Sequence, residues 1–276
     1  MRLFYPLVQR FIAGYDFESA KPNINKLLNN GFQVSVDYLG ELSKNEEDCQ
    51  KAFNQYVEII KFYKDVNINI SIKPTQLGLK INPYISYKKI DKIAKLAKRH
   101  GHSIRLDMED SSVTELTRNL AISLNKKYGN VGVAIQANLL RSEEDIKILT
   151  EKNVSVRLVK GAYKENRMIS HIEESKVKRA FINYATNLKL AKSNRPAIAT
   201  HDEELLNNIS DDYFDYEFLY GIRRDLQRKF RDDGYAVRIY VPLGSSWLPY
   251  VIRRLREWKN LKFVITNIVK EWRRKV

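Results

Sequence analysis

Eight short apolar or alternating runs, each followed by a stretch of helical periodicity, recur along the 276 residues. No other feature limits the possible folds as tightly. The runs are Gln33–Tyr38, Val66–Lys73, Ser103–Met108, Val131–Gln136, Ser155–Lys160, Ala197–Thr200, Tyr216–Gly221 and Val237–Pro242. Helical spacing covers 42–64, 86–100, 111–127, 142–152, 171–193, 203–210 and 222–232 between them, and one more helix follows the last run. Strand then helix, eight times over, is the pattern of an α/β chain closed into a (β/α)8 barrel. A doubly wound open sheet is the rival, but the first strand is followed by no glycine-rich phosphate loop. No linker or low-complexity stretch divides the chain, so residues 1–276 read as one domain. Residues 1–30 read as a leading helical segment on the outside or bottom of the barrel.

The helix after the eighth strand carries two stripes. Leu248, Val251, Ile252, Leu255 and Trp258 share an apolar one, while Tyr250, Arg253, Arg254 and Glu257 share the other at i, i+3, i+4 and i+7. Ser245 and Ser246 offer an N-cap, and Pro249 falls in the first turn, where a missing N–H is tolerated. Two guanidiniums side by side match a carboxylate or a phosphate, and Glu257 is spaced to hold Arg253. The plain alternative is a surface helix with a solvated charged face.

A barrel of this kind places its chemistry at the C-terminal ends of the strands. Those ends here carry Asp37, Lys73, Asp107, Gln136, Arg157 with Lys160, Thr200 with His201, and Tyr240. Lys73 and Asp107, on adjacent strands, are placed to form an ion pair. Arg157 lies inside an apolar strand, where an unpaired arginine is costly, so it reads as functional. Asp37 reads as a turn or cap residue. His201 reads equally as a ligand or as a helix cap before Asp202. The lysines and arginines together form a cationic mouth that implies a ligand with several negative groups.

The net charge of +15 admits a nucleic-acid binder, a protein on anionic lipid, or a lysine-rich surface. The lysines are interleaved with acids, and no nucleic-acid-binding motif stands in the sequence, which argues against nucleic acid. A lone cysteine, Cys49, allows no internal disulfide and suggests an intracellular protein. No apolar run reaches the length of a membrane span, and Met1 to Phe17 does not read as a signal peptide.

The strand ends carry a connected series of motifs: SIK at Ser71–Lys73, LD at Leu106–Asp107, IQA at Ile135–Ala137 and RLVKGAY at Arg157–Tyr163. ATHD at Ala199–Asp202, YEFLYGIR at Tyr216–Arg223, VRIYVPLG at Val237–Gly244 and YVIRRLRE at Tyr250–Glu257 complete it. In this order the chain resembles the proline dehydrogenases, which act alone or as part of the bifunctional proline-utilisation protein. The resemblance implies a distorted (β/α)8 TIM barrel whose eighth helix lies over the C-terminal ends of the strands. It implies an FAD-dependent oxidation of L-proline to 1-pyrroline-5-carboxylate, with hydride passing from proline C5 to flavin N5 and electrons passing to a quinone.

Carried over residue by residue, Arg253 and Arg254 would clamp the proline carboxylate, with Glu257 fixing Arg253. Tyr240 and Tyr250 would pack around the ring, Leu158 and Tyr163 would help close the pocket, and Lys73 and Asp107 would complete its polar wall. Arg157 would contact the flavin near N5 and Gln136 its polar edge. Lys160, Gly161, Ala162, Thr200 and His201 would hold the ribityl and diphosphate, with Met108 against the cofactor. Asp107 and Arg157 are the expected catalytic pair, and no metal is implied. The expected location is the cytoplasm, with peripheral contact on the inner face of the membrane or a partner subunit left open.

The C-terminal segment, residues 261–276, has Leu261, Val264, Ile265, Ile268 and Trp272 on one helical face and basic residues at its end. It reads as an interfacial helix on anionic lipid or as a last helix packed on the barrel. Two other readings of the whole chain stay open at this point. One is a different anion-binding barrel acting on a phosphorylated substrate, and the other is a basic nucleic-acid or lipid-binding module.

Overall fold

A computed structural model gives the structure of the chain over residues 10–257, and its side chains over residues 10–252. Eight parallel strands follow one another in sequence order around a closed barrel. They are β1 (Gln33–Tyr38), β2 (Asn69–Ile72), β3 (Ser103–Leu106), β4 (Val131–Gln136), β5 (Val156–Val159), β6 (Ala197–Ala199), β7 (Asp215–Leu219) and β8 (Val237–Leu243). The helices are α1 (Phe17–Asn29), α2 (Glu46–Phe62), α3 (Pro83–Arg99), α4 (Thr114–Tyr128), α5 (Ser142–Glu151), α6 (Glu174–Leu190), α7 (Glu203–Ile209), α8 (Arg224–Asp232) and α9 (Trp247–Glu257). No described helix is long and apolar enough to cross a membrane.

The chain divides into two compact units, Gly40–Asp215 and the paired chain ends Met1–Leu39 with Tyr216–Val276. In the unit formed by residues 40–215, β2 through β6 pair in continuous parallel register, from Asn69↔Ser103 to Val159↔Ala199. Every residue of β2 and β4 is buried, as expected where helices cover a parallel sheet. The helices start where the sequence supplies caps. Asn45 accepts from Asp48 N at 2.9 Å to begin α2, and Asn82 accepts from Tyr84 N at 3.0 Å to begin α3. The helical stretch expected over 111–127 opens instead with a 3₁₀ turn, Ser111–Val113, because Asp110 caps Ser112 N at 3.0 Å before α4 begins.

In the unit formed by the chain ends, β1 pairs with β8 from Gln33↔Arg238 to Tyr38↔Leu243, and β7 pairs with β8 from Tyr216↔Val237 to Leu219↔Tyr240. Arg238 donates to Glu217 at 3.1 Å and to Gln33 at 2.5 Å, locking three neighbouring strands near their N-terminal ends. The helical expectation for residues 1–30 needs correcting over residues 10–16. Ala13 N donates to Pro242 O at 2.8 Å and Gly244 N to Gly14 O at 3.0 Å, so this stretch runs along the end of β8. Asp16 then stops it with a capping box on Ser19, from which α1 begins. Residues 1–9 and 258–276, including the basic C-terminal segment, lie outside the described residues.

Candidate active site

Within residues 40–215, the strand ends bring together a buried ionic cluster. Arg157 on β5 is only 3% exposed. Its Nη1 donates to Asp107 Oδ1 at 2.7 Å and its Nη2 to Ser71 Oγ at 3.0 Å. Asp107, just past β3, also takes Lys73, which follows β2, at 3.5 Å. One carboxylate thus faces two cations in a setting where screening is weak. Leu158 is fully buried, and strand alternation turns it to the opposite face of β5 from Arg157. The structure therefore does not bring Leu158 to this cluster.

Beside the ionic cluster runs a hydrogen-bonded rail. Gln136 at the end of β4 donates from Nε2 to Glu109 O at 3.0 Å, and its Oε1 accepts from Ala162 N at 3.3 Å. Glu109 accepts from Thr75 N at 3.1 Å and from Thr75 Oγ1 at 2.5 Å. Burial pushes the Glu109 carboxyl up to about 7, against the pull of the Thr75 hydrogen bonds and of the Lys73 ammonium. Met108, between Asp107 and Glu109, is buried.

The loop after β5 crosses closely over the end of β4. Gly161 has φ +112°, and a Cβ there would lie 2.1 Å from Asn138 Oδ1, so only glycine fits. Lys160 ion-pairs with Asp202 at 2.5 Å and stands 3.7 Å from Glu174. Burial raises Asp202, but the hydrogen bonds and charges of Lys160 and Lys178 outweigh it and hold the carboxyl below its usual range. Thr200 Oγ1 accepts from Asp202 N at 3.2 Å. The cap of α7 is Asp202, which accepts from Glu204 N at 3.1 Å, and not His201, which stands half-buried one residue earlier. Tyr163 is half-buried and Ala162 exposed in the same loop.

The chain-end unit carries the remaining expected residues. Tyr240 is half-buried on β8, where its carbonyl accepts from Tyr220 N at 2.9 Å. Tyr250 and Val251 of α9 are buried with Phe11, Ile12, Leu39 and Ile222, and Trp247 packs against them. Of the apolar stripe read from the sequence, Val251 is packed and Leu248 and Ile252 are not. Leu248 is 53% and Ile252 38% exposed, whereas Tyr250, from the stripe read as polar, is buried. The side chains of Arg253, Arg254 and Glu257 lie outside the described residues.

Sequence reasoning missed Ser71, Thr75, Glu109 and Asn138. Glu109 had a usable signal, since it shares strand parity with Asp107, but in the run Leu106-Asp107-Met108-Glu109-Asp110 it looks like one more solvated acid.

A closed parallel barrel with ionisable side chains grouped at its strand ends has the architecture of the (β/α)8 enzymes, which hold their ligands at that face. Comparison with known proteins narrows the class. The family model for proline dehydrogenase matches residues 20–265. "Proline dehydrogenase 2" of Bacillus subtilis is 34% identical over 276 residues, which span 95% of this chain and 90% of that one. "Proline dehydrogenase" of Deinococcus radiodurans is 30% identical, with 96% of this chain and 90% of that one covered. Among solved structures, proline utilization A from Bdellovibrio bacteriovorus, inactivated by N-propargylglycine, superposes with a TM-score of 0.85 at 25% identity. That match covers 94% of this chain and 33% of the much longer partner. The chain belongs to the proline dehydrogenase family of oxidoreductases.

Proposed function

We propose that this protein oxidises L-proline to 1-pyrroline-5-carboxylate with FAD, working as one barrel domain and passing the electrons to a quinone-type acceptor. The observation that carries the reading is the Lys73–Asp107–Arg157 cluster at the strand ends of a chain of this family. FAD, when bound, supplies the two-electron acceptor that takes hydride from proline C5. Its fit to this chain is supported by Asn138 Oδ1, which is buried without a hydrogen-bond partner among the described residues. That atom lies against Gly161, in the stretch assigned to the ribityl and diphosphate, and ribityl hydroxyls are donors of the kind it lacks. Gln136, with one Nε2 hydrogen and one Oε1 lone pair beyond its two internal bonds, suits a flavin edge that both donates and accepts.

The residues divide the remaining work. Arg253 and Arg254 bind the carboxylate by charge-assisted bonds, with Glu257 holding Arg253, and so fix the ring's orientation. Tyr240, Tyr250 and Tyr163 exclude water from the ring. Lys73 and Asp107 form the polar wall, where Asp107 holds Arg157 in one rotamer. Arg157 keeps a cation where negative charge builds up during reduction, which lowers the barrier without reorganisation. Lys160, Gly161, Ala162, Thr200 and His201 hold the phosphate-bearing arm, with Met108 packed on the cofactor. The amine of proline must shed its proton before oxidation, because its lone pair stabilises the developing iminium. Peripheral contact with a membrane would give access to the quinone.

The test is anaerobic mixing of the flavin-loaded protein with L-proline while the flavin absorbance is followed. Bleaching on proline, and not on a phosphosugar, is the expected result. Protein that never takes up flavin, or flavin that proline leaves oxidised, overturns the reading.

A further inference from the structure

The chain-end unit contains a cavity of about 600 Å³ to which none of the residues assigned to proline or FAD contributes. Two helix faces build it, each at i, i+3, i+4 and i+7. From α1 and its C-cap come Asn23, Lys26, Leu27 and Asn30, and from α8 come Arg224, Gln227, Arg228 and Arg231. The two helices are tied together where Arg231 Nη1 donates to Asn30 O at 3.0 Å, with the guanidinium 4.8 Å from the Phe32 ring. Arg10 joins the wall because its carbonyl presses on the turn after β7. A Cβ on Gly221 would lie 1.6 Å from Arg10 O, so nothing larger than glycine allows that approach.

Five cations line this cavity and, among the described residues, no carboxylate does. The acids nearest in sequence are spent elsewhere. Asp225 is held by buried Arg223, at 3.0 Å from both Nε and Nη2, and Asp232 pairs with Arg231 at 2.7 Å. Lys26 and Arg228 have no ion-pair partner among the described residues. The lining amides are committed too. Asn23 donates to Ala13 O at 2.8 Å, and Gln227 donates to Leu219 O at 3.1 Å and Ile222 O at 2.8 Å. What the wall offers a ligand is therefore cationic forks and an ammonium. Arg224 and Arg228, four residues apart on one helix face, present two guanidiniums to the same cavity. Guanidiniums match phosphate oxygens two at a time, and the volume suits a small ligand.

We infer that this cavity is a binding site for clustered phosphates, a ligand carrying at least two phosphate groups. Those groups are supplied either by a soluble oligophosphate or by the headgroups of an anionic phospholipid surface. The experiment uses the full chain in about 0.15 M salt, where weak surface attraction is screened. Tripolyphosphate binding is measured by calorimetry, and co-sedimentation is measured with phosphatidylglycerol vesicles and with neutral phosphatidylcholine vesicles. Three proteins are compared: the wild type, Lys26→Gln/Arg228→Gln, and a control that loses the same charge from the exposed face of α3, Lys92→Gln/Lys95→Gln. The cavity variant should bind about tenfold more weakly or worse, the loss expected for two charge-assisted bonds. The control should change less than about threefold. All three should keep their folding transition and their proline-driven flavin bleaching, so failure here is separate from failure of the oxidase reading. Tripolyphosphate binding without vesicle binding identifies a soluble ligand. Phosphatidylglycerol binding that the cavity variant abolishes identifies headgroups. Absence of both, or equal loss in the two variants, overturns the site.

Discussion

Arg157 and Arg228 are both held by regular secondary structure, and the chain surrounds them in opposite ways. Arg157 is buried and held by Asp107 at 2.7 Å and Ser71 at 3.0 Å, so its charge is fixed in place. Arg228 lies on a half-buried helix face that it shares with Arg224 and Arg231, with its nearest acid in sequence, Asp225, already used by Arg223. A compensated cation is part of the scaffold and acts on a ligand through its fixed field. An uncompensated one costs the apo protein a little stability and recovers it when an anion binds. Mutations should therefore be severe in the first region and mild or favourable in the second.

The largest effect should come from Asp107→Ala. It leaves Arg157 and Lys73 facing each other in a buried setting, and removing one partner of a buried pair costs about 3–5 kcal/mol. Urea unfolding measures it, and a loss near zero would mean the cluster is solvated and the contrast false. Next is Glu109→Gln, read as stability against pH. Burial raises this carboxyl from 4.5 to about 7 in the folded chain, so between those values the folded state keeps a proton that the unfolded state has lost. Its contribution to stability must fall as pH rises through that window, by about 3 kcal/mol, and stay constant above it. The glutamine variant keeps a carbonyl acceptor for Thr75 N and an amide N–H that Thr75 Oγ1 can accept from, and should flatten the profile there. Persistence of the slope would assign it to another group.

A smaller effect, about 2 kcal/mol, is expected on proline binding in Arg253→Met or Arg254→Met, from loss of a charge-assisted bond. Flavin content should be unchanged, and wild-type affinity for proline in either variant would remove that arginine from the carboxylate site. Asp202→Ala removes the α7 cap and one partner of Lys160, and should lower stability by about 1 kcal/mol. Smallest is Arg228→Gln, which should change apo stability by a few tenths of a kcal/mol at most, in the stabilising direction. A loss above about 1 kcal/mol would show that this arginine is compensated after all.

The barrel was legible because strand burial leaves a local trace. β1 and β4 begin and end where their apolar runs do, at Gln33–Tyr38 and Val131–Gln136. β2 is shorter than its run, which starts at Val66 but pairs only from Asn69. Arg157 was legible because a cation inside an apolar strand needs a partner. Glu109 was not, because its burial depends on Thr75, which the chain brings up from 34 residues away. The packing of α9 was legible only in part, because amphipathicity marks Leu248, Val251 and Ile252 alike, whereas the neighbours Phe11, Ile12 and Ile222 take in Val251 together with Tyr250. The cationic cavity needs α1 and α8 side by side, and no window of sequence contains both.

The pairing of β1 with β8 has a consequence in time. Gln33 and its partner Arg238 are 205 residues apart, so on the ribosome β1 emerges long before the strand it must join. At ordinary rates of synthesis, about 5–20 residues per second, that wait is about 10–40 seconds. Residues 40–215 form a continuous compact unit whose strands can pair as they appear, while the edge of β1 that β8 must close stays open beside the apolar Val34 and Val36. Slowing synthesis between residues 40 and 215 should lengthen that exposure and raise the demand for a chaperone at the N-terminus of the nascent chain.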